Sequence, residues 1–194
     1  MTAATPAPVF RSGAGRLCLD FIRTLRHRGA PGAEEELPDL AAVRAWVVQF
    51  APFAVGEATG EPGQDARARV LREAIYELID AAVTPAGIES CPSRARETVN
   101  ELAALPVPAP WLDASGRLRW HADEPVLASL ALMARDALDL VTSAAIDRVR
   151  RCAGHDCNAL FLDSSRPGTR RWCSMNTCGN QAKKDTLRTR RART

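Results

Sequence analysis

The sequence predicts an α+β fold: an α-rich N-terminal domain with a small β-hairpin, then a small C-terminal module of hairpin plus helix. Three observations predict it. Two stretches, 64–83 and 124–143, repeat apolar residues three and four apart, the period of a helix with one buried face. Residues 111–121 read as a strand, an Asp-Ala-Ser-Gly turn and a second strand. Four of the six cysteines fall in the last quarter, in two equally spaced pairs.

Taken in order, residues 1–8 are small, polar and proline-bearing, and residues 1–10 are assigned to a disordered tail. Two periods compete from Val9 to Leu25. Leu17, Leu19 and Phe21 alternate as in a strand, whereas Phe21, Ile22 and Leu25 fit a helical stripe. Asp20 suits a helix cap or a turn anchor. The glycine-, proline- and acid-rich run 27–36 is a loop. Pro38-Asp39 then opens a helix whose inner stripe is Leu40, Val43, Trp46, Val47 and Phe50, which makes Trp46 a core residue rather than a ligand platform. Prolines and glycines interrupt 51–62.

The helix over 64–83 is expected to bury Val70, Leu71, Ala74, Ile75, Leu78, Ile79 and Ala82. After a loop in which Cys91 is incidental, Ser93 is placed to cap a helix reaching Leu105, with Val99, Leu102 and Leu105 inward. The proline-rich 106–110 ends it and forces an extended chain into the hairpin. The helix over 124–143 carries Val126, Leu127, Leu130, Met133, Ala134, Ala137, Leu138 and Val141. It runs through 144–146 directly into the cysteines, so it should fix the orientation of the C-terminal module. The boundaries are therefore 11–146 for a body large enough to hold its own core and 147–194 for the module.

In that module Cys152-x4-Cys157 and Cys173-x4-Cys178 are separated by fifteen residues. Two close pairs of soft ligands suit one tetrahedral Zn²⁺, each pair supplying an edge. Two disulfides would need an oxidising compartment, and no export signal is evident at the N-terminus. Four thiolates leave no open coordination position, so the expected metal is structural. His155, inside the first pair, is the alternative ligand. Ala159 to Leu162 reads as one strand, 163–168 as a turn, and Thr169 to Trp172 as the returning strand. A helix comes after the second pair. Knuckle, hairpin, knuckle and helix make a treble-clef-like finger, and Cys173→Ser should unfold it while leaving the body folded.

The run Arg171-Trp172-Cys173-Ser174-Met175 with Cys178-Gly179-Asn180, together with the upstream cysteine pair and Phe161-Leu162-Asp163, resembles the CGNR zinc-finger proteins. Leu17-x-Leu19-Asp20-Phe21 resembles the opening of their N-terminal ABATE domain. The resemblance implies stress-related transcription regulators of bacteria in which residues 11–146 act as a sensor or regulatory domain. Gln181 stands at the position of the family's arginine, Asn176 where a small residue is usual, and Arg23-Thr24 where an Asn-Thr pair is usual.

Composition supports a soluble, cytoplasmic protein: 46% hydrophobic, 25% charged, and no apolar run near the ~18 residues a membrane span requires. The net charge of +3 hides an asymmetry. Residues 148–194 hold twelve Lys or Arg against three Asp or Glu, whereas 1–147 hold fourteen against twenty. A basic module on an acidic body points to a polyanion partner for the module. The helix after Cys178 has no apolar stripe, while Lys184, Arg188 and Arg191 share a face flanked by Lys183 and Arg190. Its length, about 20 Å, suits a major groove of double-stranded DNA. Arg170 and Arg171 are placed to reach phosphates and Asn180 and Gln181 to read base edges, with Gly179 opening room for close approach. The body shows no phosphate loop, nucleophile elbow or paired carboxylates, so no enzyme is expected. It is left to sense a small molecule or to form a homodimer. An RNA- or protein-binding module is the alternative, and would stack bases on Trp172 or Phe161.

Overall fold

The computed structural model describes residues 9–50 and 61–191. The body is built on four helices: α1 (Leu17–Ile22), α2 (Leu40–Phe50), α3 (Gln64–Ala82) and α4 (Ser93–Ala103), with α5 (Pro125–Thr142) running through their centre. Pro125 sits in the first turn of α5, where its missing N–H costs nothing. Two-residue strands β1 (Leu25–Arg26) and β2 (Glu34–Glu35) pair antiparallel. The expected hairpin is β3 (Ala109–Leu112) with β4 (Leu118–His121), Leu112 opposite Leu118.

α3 and α5 bury their apolar stripes as the period predicts, with Leu71, Ile75, Ile79, Leu130, Met133 and Leu140 all closed to solvent. Val70 is a correction: it lies 56% exposed, on the far edge of the stripe. Trp46 is buried, stacked on Phe50 at 4.7 Å and edge-on to Phe21 at 5.1 Å, so it is core. The competition over 9–25 resolves as helix α1, with Asp20 as a turn anchor. Its carboxylate accepts the Ala14 N–H at 2.9 Å and the Gly13 N–H at 3.3 Å. Ser93 does not cap α4; it is the first helical residue, and the Pro92 carbonyl receives the Ala95 and Arg96 N–H groups. Phe10, assigned to the tail by composition, is buried, and both its backbone groups bond the Gln49 side-chain amide at 2.8–2.9 Å. Val9 is exposed, and residues 1–8 of that expected tail lie outside the described residues.

A short 3-10 turn, Ala144–Arg148, leads from α5 into β5 (Val149–Arg151). β5 pairs antiparallel with β6 (Leu160–Leu162), Val149 opposite Leu162 and Arg151 opposite Leu160. This corrects the expected hairpin. The partner of β6 comes before the first cysteine, so the first knuckle is itself the hairpin turn, closed by Cys152 N–H to Ala159 O at 2.8 Å. Residues 169–172 form no strand: the Arg170 N–H is drawn to the buried Asp163 carboxylate, and the Arg171 carbonyl accepts from the Ala153 N–H at 2.8 Å.

The finger is not a separate globule. Val149, Cys152, Leu160, Phe161 and Cys173 belong to the same buried cluster as the helices of the body. The Leu162 N–H bonds the Ala14 carbonyl at 2.7 Å. Beside it, a Cβ on Gly15 (φ +93) would stand 2.9 Å from the Leu162 Cβ, so both space and conformation require glycine there. Arg151 donates to the Tyr76 hydroxyl at 2.7 Å and pairs with Asp80, tying β5 to α3.

Candidate metal centre and basic helix

Cys152 directly follows β5, and a tight turn at Gly154 brings Cys157 back beside it. A Cβ on Gly154 would lie 3.2 Å from the Cys157 Cβ and 3.3 Å from both Cβ and Sγ of Cys178, so this glycine lets the two knuckles close. Cys173 comes after the loop anchored on Asp163, which accepts from the Ser165 hydroxyl at 2.6 Å and from the Ser165 and Arg170 N–H groups at 2.9 Å. Those bonds, the Ser165 hydroxyl foremost, hold the Asp163 carboxyl below its ordinary value. The second knuckle is a π-helical turn, Met175–Gly179, in which the Gly179 N–H reaches the Ser174 carbonyl at 3.0 Å. It carries Cys178 into α6 (Asn180–Arg191).

The four thiols meet, with their sulfurs all within 4.8 Å of one another. Cys157 and Cys173 are 3.6 Å apart, and Cys173 and Cys178 are 3.7 Å apart. A tetrahedron with Zn–S bonds of about 2.3 Å has edges of about 3.8 Å, so the cluster matches a zinc ion in size. The Gly154 and Cys173 N–H groups point at the Cys152 sulfur at 3.4 and 3.3 Å, as donors to a thiolate do. Hydrogen bonds from the Cys157 and Cys173 thiols hold Cys152 well below the ordinary thiol value. The bond to Cys152 pushes Cys157 above the ordinary thiol value, and Cys173 is driven up for the same reason. Such an array ionises once easily and resists further ionisation unless a cation neutralises it. The site is positioned to bind one zinc ion through Cys152, Cys157, Cys173 and Cys178, with a structural role. His155 is not among the ligands; its side chain is 92% exposed and pairs with Asp156.

The residues expected to meet nucleic acid divide. Arg170 turns inward: it donates to the Trp172 carbonyl at 2.8 Å and to the Cys173 carbonyl, and its guanidinium lies 4.7 Å from the Phe161 ring centroid. It braces the second knuckle. Arg171 is exposed, over the Trp172 ring at 5.1 Å. Asn180 donates to the Asn176 carbonyl at 3.2 Å, securing the π turn, and Gln181 donates to Asp185 at 3.0 Å. Gly179 is not an opening for a ligand, since the Met175 sulfur fills the space 3.0 Å from where a Cβ would stand. Lys183 and Lys184 are exposed with no ion pair among the described residues, and Arg188 stands 3.9 Å from Asp185. The side chains of Arg190 and Arg191 lie outside the described residues. From Asn180 to Thr189 every described side chain but Ala182 is exposed, Leu187 included at 56%.

Two supports of the first knuckle carry no decisive local mark in the sequence. Gly154 and Asn158 (φ +47) shape the first knuckle, and the Asn158 amide donates to the Arg28 carbonyl at 2.8 Å. An Asn or Gly within a cysteine knuckle is the available signal, but which of them packs on the body depends on contacts distant in sequence.

A helix-rich body clamped to a four-cysteine finger that launches an unburied basic helix defines a zinc-finger protein with an appended α-helical domain. A family model, ABATE, described as "Putative stress-induced transcription regulator", matches residues 15–144, and the CGNR zinc-finger model matches residues 148–191. The chain belongs to the ABATE family and carries a CGNR zinc finger behind that domain. A comparison with curated proteins finds no match. No described helix is long and apolar enough to cross a membrane.

Proposed function

We propose that this protein is a transcription regulator that binds double-stranded DNA through α6 and the adjoining finger residues, with the zinc site holding the helix in place. The observation that carries the reading is α6 itself. It is a twelve-residue helix rooted in the metal knuckle, with no buried face among its described residues. A helix with nothing apolar to bury is kept for a polar partner, and its exposed Lys183, Lys184 and Arg188 select a polyanion. The family description of the body supports regulation of transcription. In this reading the body senses a small molecule or joins a second copy, and neither part performs a catalytic step. The RNA alternative is disfavoured, because Phe161 is buried and Trp172 is half-buried beneath Arg171, which leaves no free aromatic platform in the described finger.

The test is binding-site selection and then salt titration with zinc-loaded protein. About five phosphate contacts give a log–log salt slope near −4.5, and Lys184→Ala reduces it by about one unit. An enriched duplex motif is expected. Equal affinity for single-stranded RNA and duplex, or no change in the Lys183/Lys184/Arg188 triple alanine variant, overturns the reading.

A further inference from the structure

A cleft of about 750 Å³ opens between the N-terminal segment of the body, the first knuckle and the start of α6. Its size is in the range of ligand-holding clefts (about 300–1,000 Å³), and it lies at a junction between domains, where such sites concentrate. Arg11 and His27 line it from the body, and Asn180, Gln181 and Lys184 from the helix. A side-chain hydrogen bond joins the two halves at this edge. His27, with φ +50, bonds the Asp156 carbonyl through Nδ1 at 3.2 Å, so the body wall is tied to the knuckle that carries Cys157.

Charge decides what the cleft admits. Of the arginines on this side of the body, Arg11 lines the cleft itself, while Arg23, Arg26 and Arg28 line a smaller neighbouring pocket that shares Arg11 and His27 with it. Three are neutralised locally: Arg23 by Asp20, Arg26 by Glu34 and Glu36, and Arg28 by Glu73. Arg11 makes no ion pair or hydrogen bond among the described residues, although it lies within electrostatic reach of Glu36. On the helix side Lys184 is likewise unpaired. The cleft also holds two carboxylates. Asp156 is engaged by His155 at 2.7 Å, and Asp185 by the Gln181 amide and Arg188. Among the described residues, Arg11 and Lys184 are thus the arginine and lysine of the cleft lining that make no ion pair or hydrogen bond, one from each half, opening on the same space. Glu36 is the acidic group within electrostatic reach of Arg11.

We infer that the body is part of the nucleic-acid interface: Arg11 contacts a phosphate of the backbone that α6 engages, and the cleft it shares with Lys184 seats that strand. The inference rests on the DNA-binding reading and deepens it. It makes an otherwise acidic domain a direct contributor to affinity and gives any change in the body a physical route to the bound strand.

The experiment compares wild type, Arg11→Ala, Arg11→Lys and Lys184→Ala for binding to a random-sequence duplex of about 20 base pairs across salt concentrations. One lost phosphate contact changes the slope by about 0.9, which is about a fivefold loss of affinity at 0.15 M salt. Arg11→Ala is expected to show both changes and Arg11→Lys to restore most of the affinity, with zinc content equal to wild type in each. Hydrogen exchange on the unmutated protein is the second readout, with residues 9–16 and 25–28 gaining protection when duplex is added. If Lys184→Ala weakens binding while Arg11→Ala leaves affinity and slope unchanged, the inference falls and the DNA reading stands. If neither changes binding, both fall. If Arg11→Ala instead abolishes binding of inorganic phosphate without altering duplex affinity, the cleft serves a small anion and the inference is overturned.

Discussion

The side-chain amide of Asn158, in the first zinc knuckle, donates a 2.8 Å hydrogen bond to the carbonyl of Arg28 in the body. One residue earlier in the body, His27 returns the contact to the Asp156 carbonyl at 3.2 Å. Both Asn158 and His27 adopt left-handed backbone conformations, which asparagine tolerates better than most residues. Two side chains thus cross in opposite directions between a metal knuckle and a helical domain.

Asn158→Ala removes one of these bonds and places alanine at φ +47. The expected cost is about 1–3 kcal/mol, measured by chemical denaturation. Asn158→Gly keeps the conformation and loses only the bond, so it should cost less. Equal stability of alanine variant and wild type would show that the clasp contributes nothing.

Metal removal should destabilise the whole molecule rather than the finger alone. The sequence predicts that Cys173→Ser leaves the body folded; the body should nevertheless lose stability, because Leu160, Phe161 and Val149 share its core and Leu162 bonds Ala14. Structural zinc contributes about 10–16 kcal/mol in finger peptides, as large as the stability of a typical domain. Chelation is therefore expected to lower the calorimetric midpoint of the body by several degrees, each lost kcal/mol counting for about 2–4 °C. A body transition unmoved by chelator would contradict this.

Gly154→Ala puts a methyl group 3.2–3.3 Å from the side chains of Cys157 and Cys178. These neighbours are held by the metal and cannot turn away. Zinc affinity should fall about 10- to 100-fold, the range seen when groups supporting metal ligands are disturbed. Competition with a chromophoric chelator measures it.

Arg170 and Arg171, adjacent in sequence, should behave differently. Arg170→Ala removes donors from the Trp172 and Cys173 carbonyls and should cost about 1–3 kcal/mol of stability with no change in the salt slope per folded molecule. Arg171→Ala should leave stability within about 0.5 kcal/mol and reduce the slope by about one unit. Paired denaturation and salt titration separate the two roles.

Acid should loosen the β1–β2 ribbon through Glu35. Burial raises this carboxyl, but the Arg72 guanidinium, bonding it at 2.6 and 2.7 Å, overcomes burial and holds it below its ordinary value. A depressed carboxyl contributes stability that is complete above about pH 4.3 and is lost as pH falls through its folded value. Glu35→Gln should therefore be less stable than wild type at pH 6 and converge on it towards pH 3. A constant difference across that range would rule out the linkage.

Much of this molecule was determined by the chain alone. The period of α3 and α5, the turn chemistry of β3–β4, the matched spacing of the cysteines and the missing apolar stripe of α6 are local properties, and each reports local structure directly. Tertiary structure decided the rest, for one physical reason. A polar side chain does not declare its partner, and the partner is chosen by which elements pack together. Arg170 and Arg171 look alike in sequence, yet the ring of Phe161 and two open carbonyls draw the first inward and leave the second outside. Asp163 captures the Arg170 N–H that a returning strand would have used, and the hairpin forms with β5 instead. The union of finger and body depends on Gly15 meeting Leu162 and Asn158 meeting Arg28, contacts between residues more than a hundred positions apart that no local pattern records.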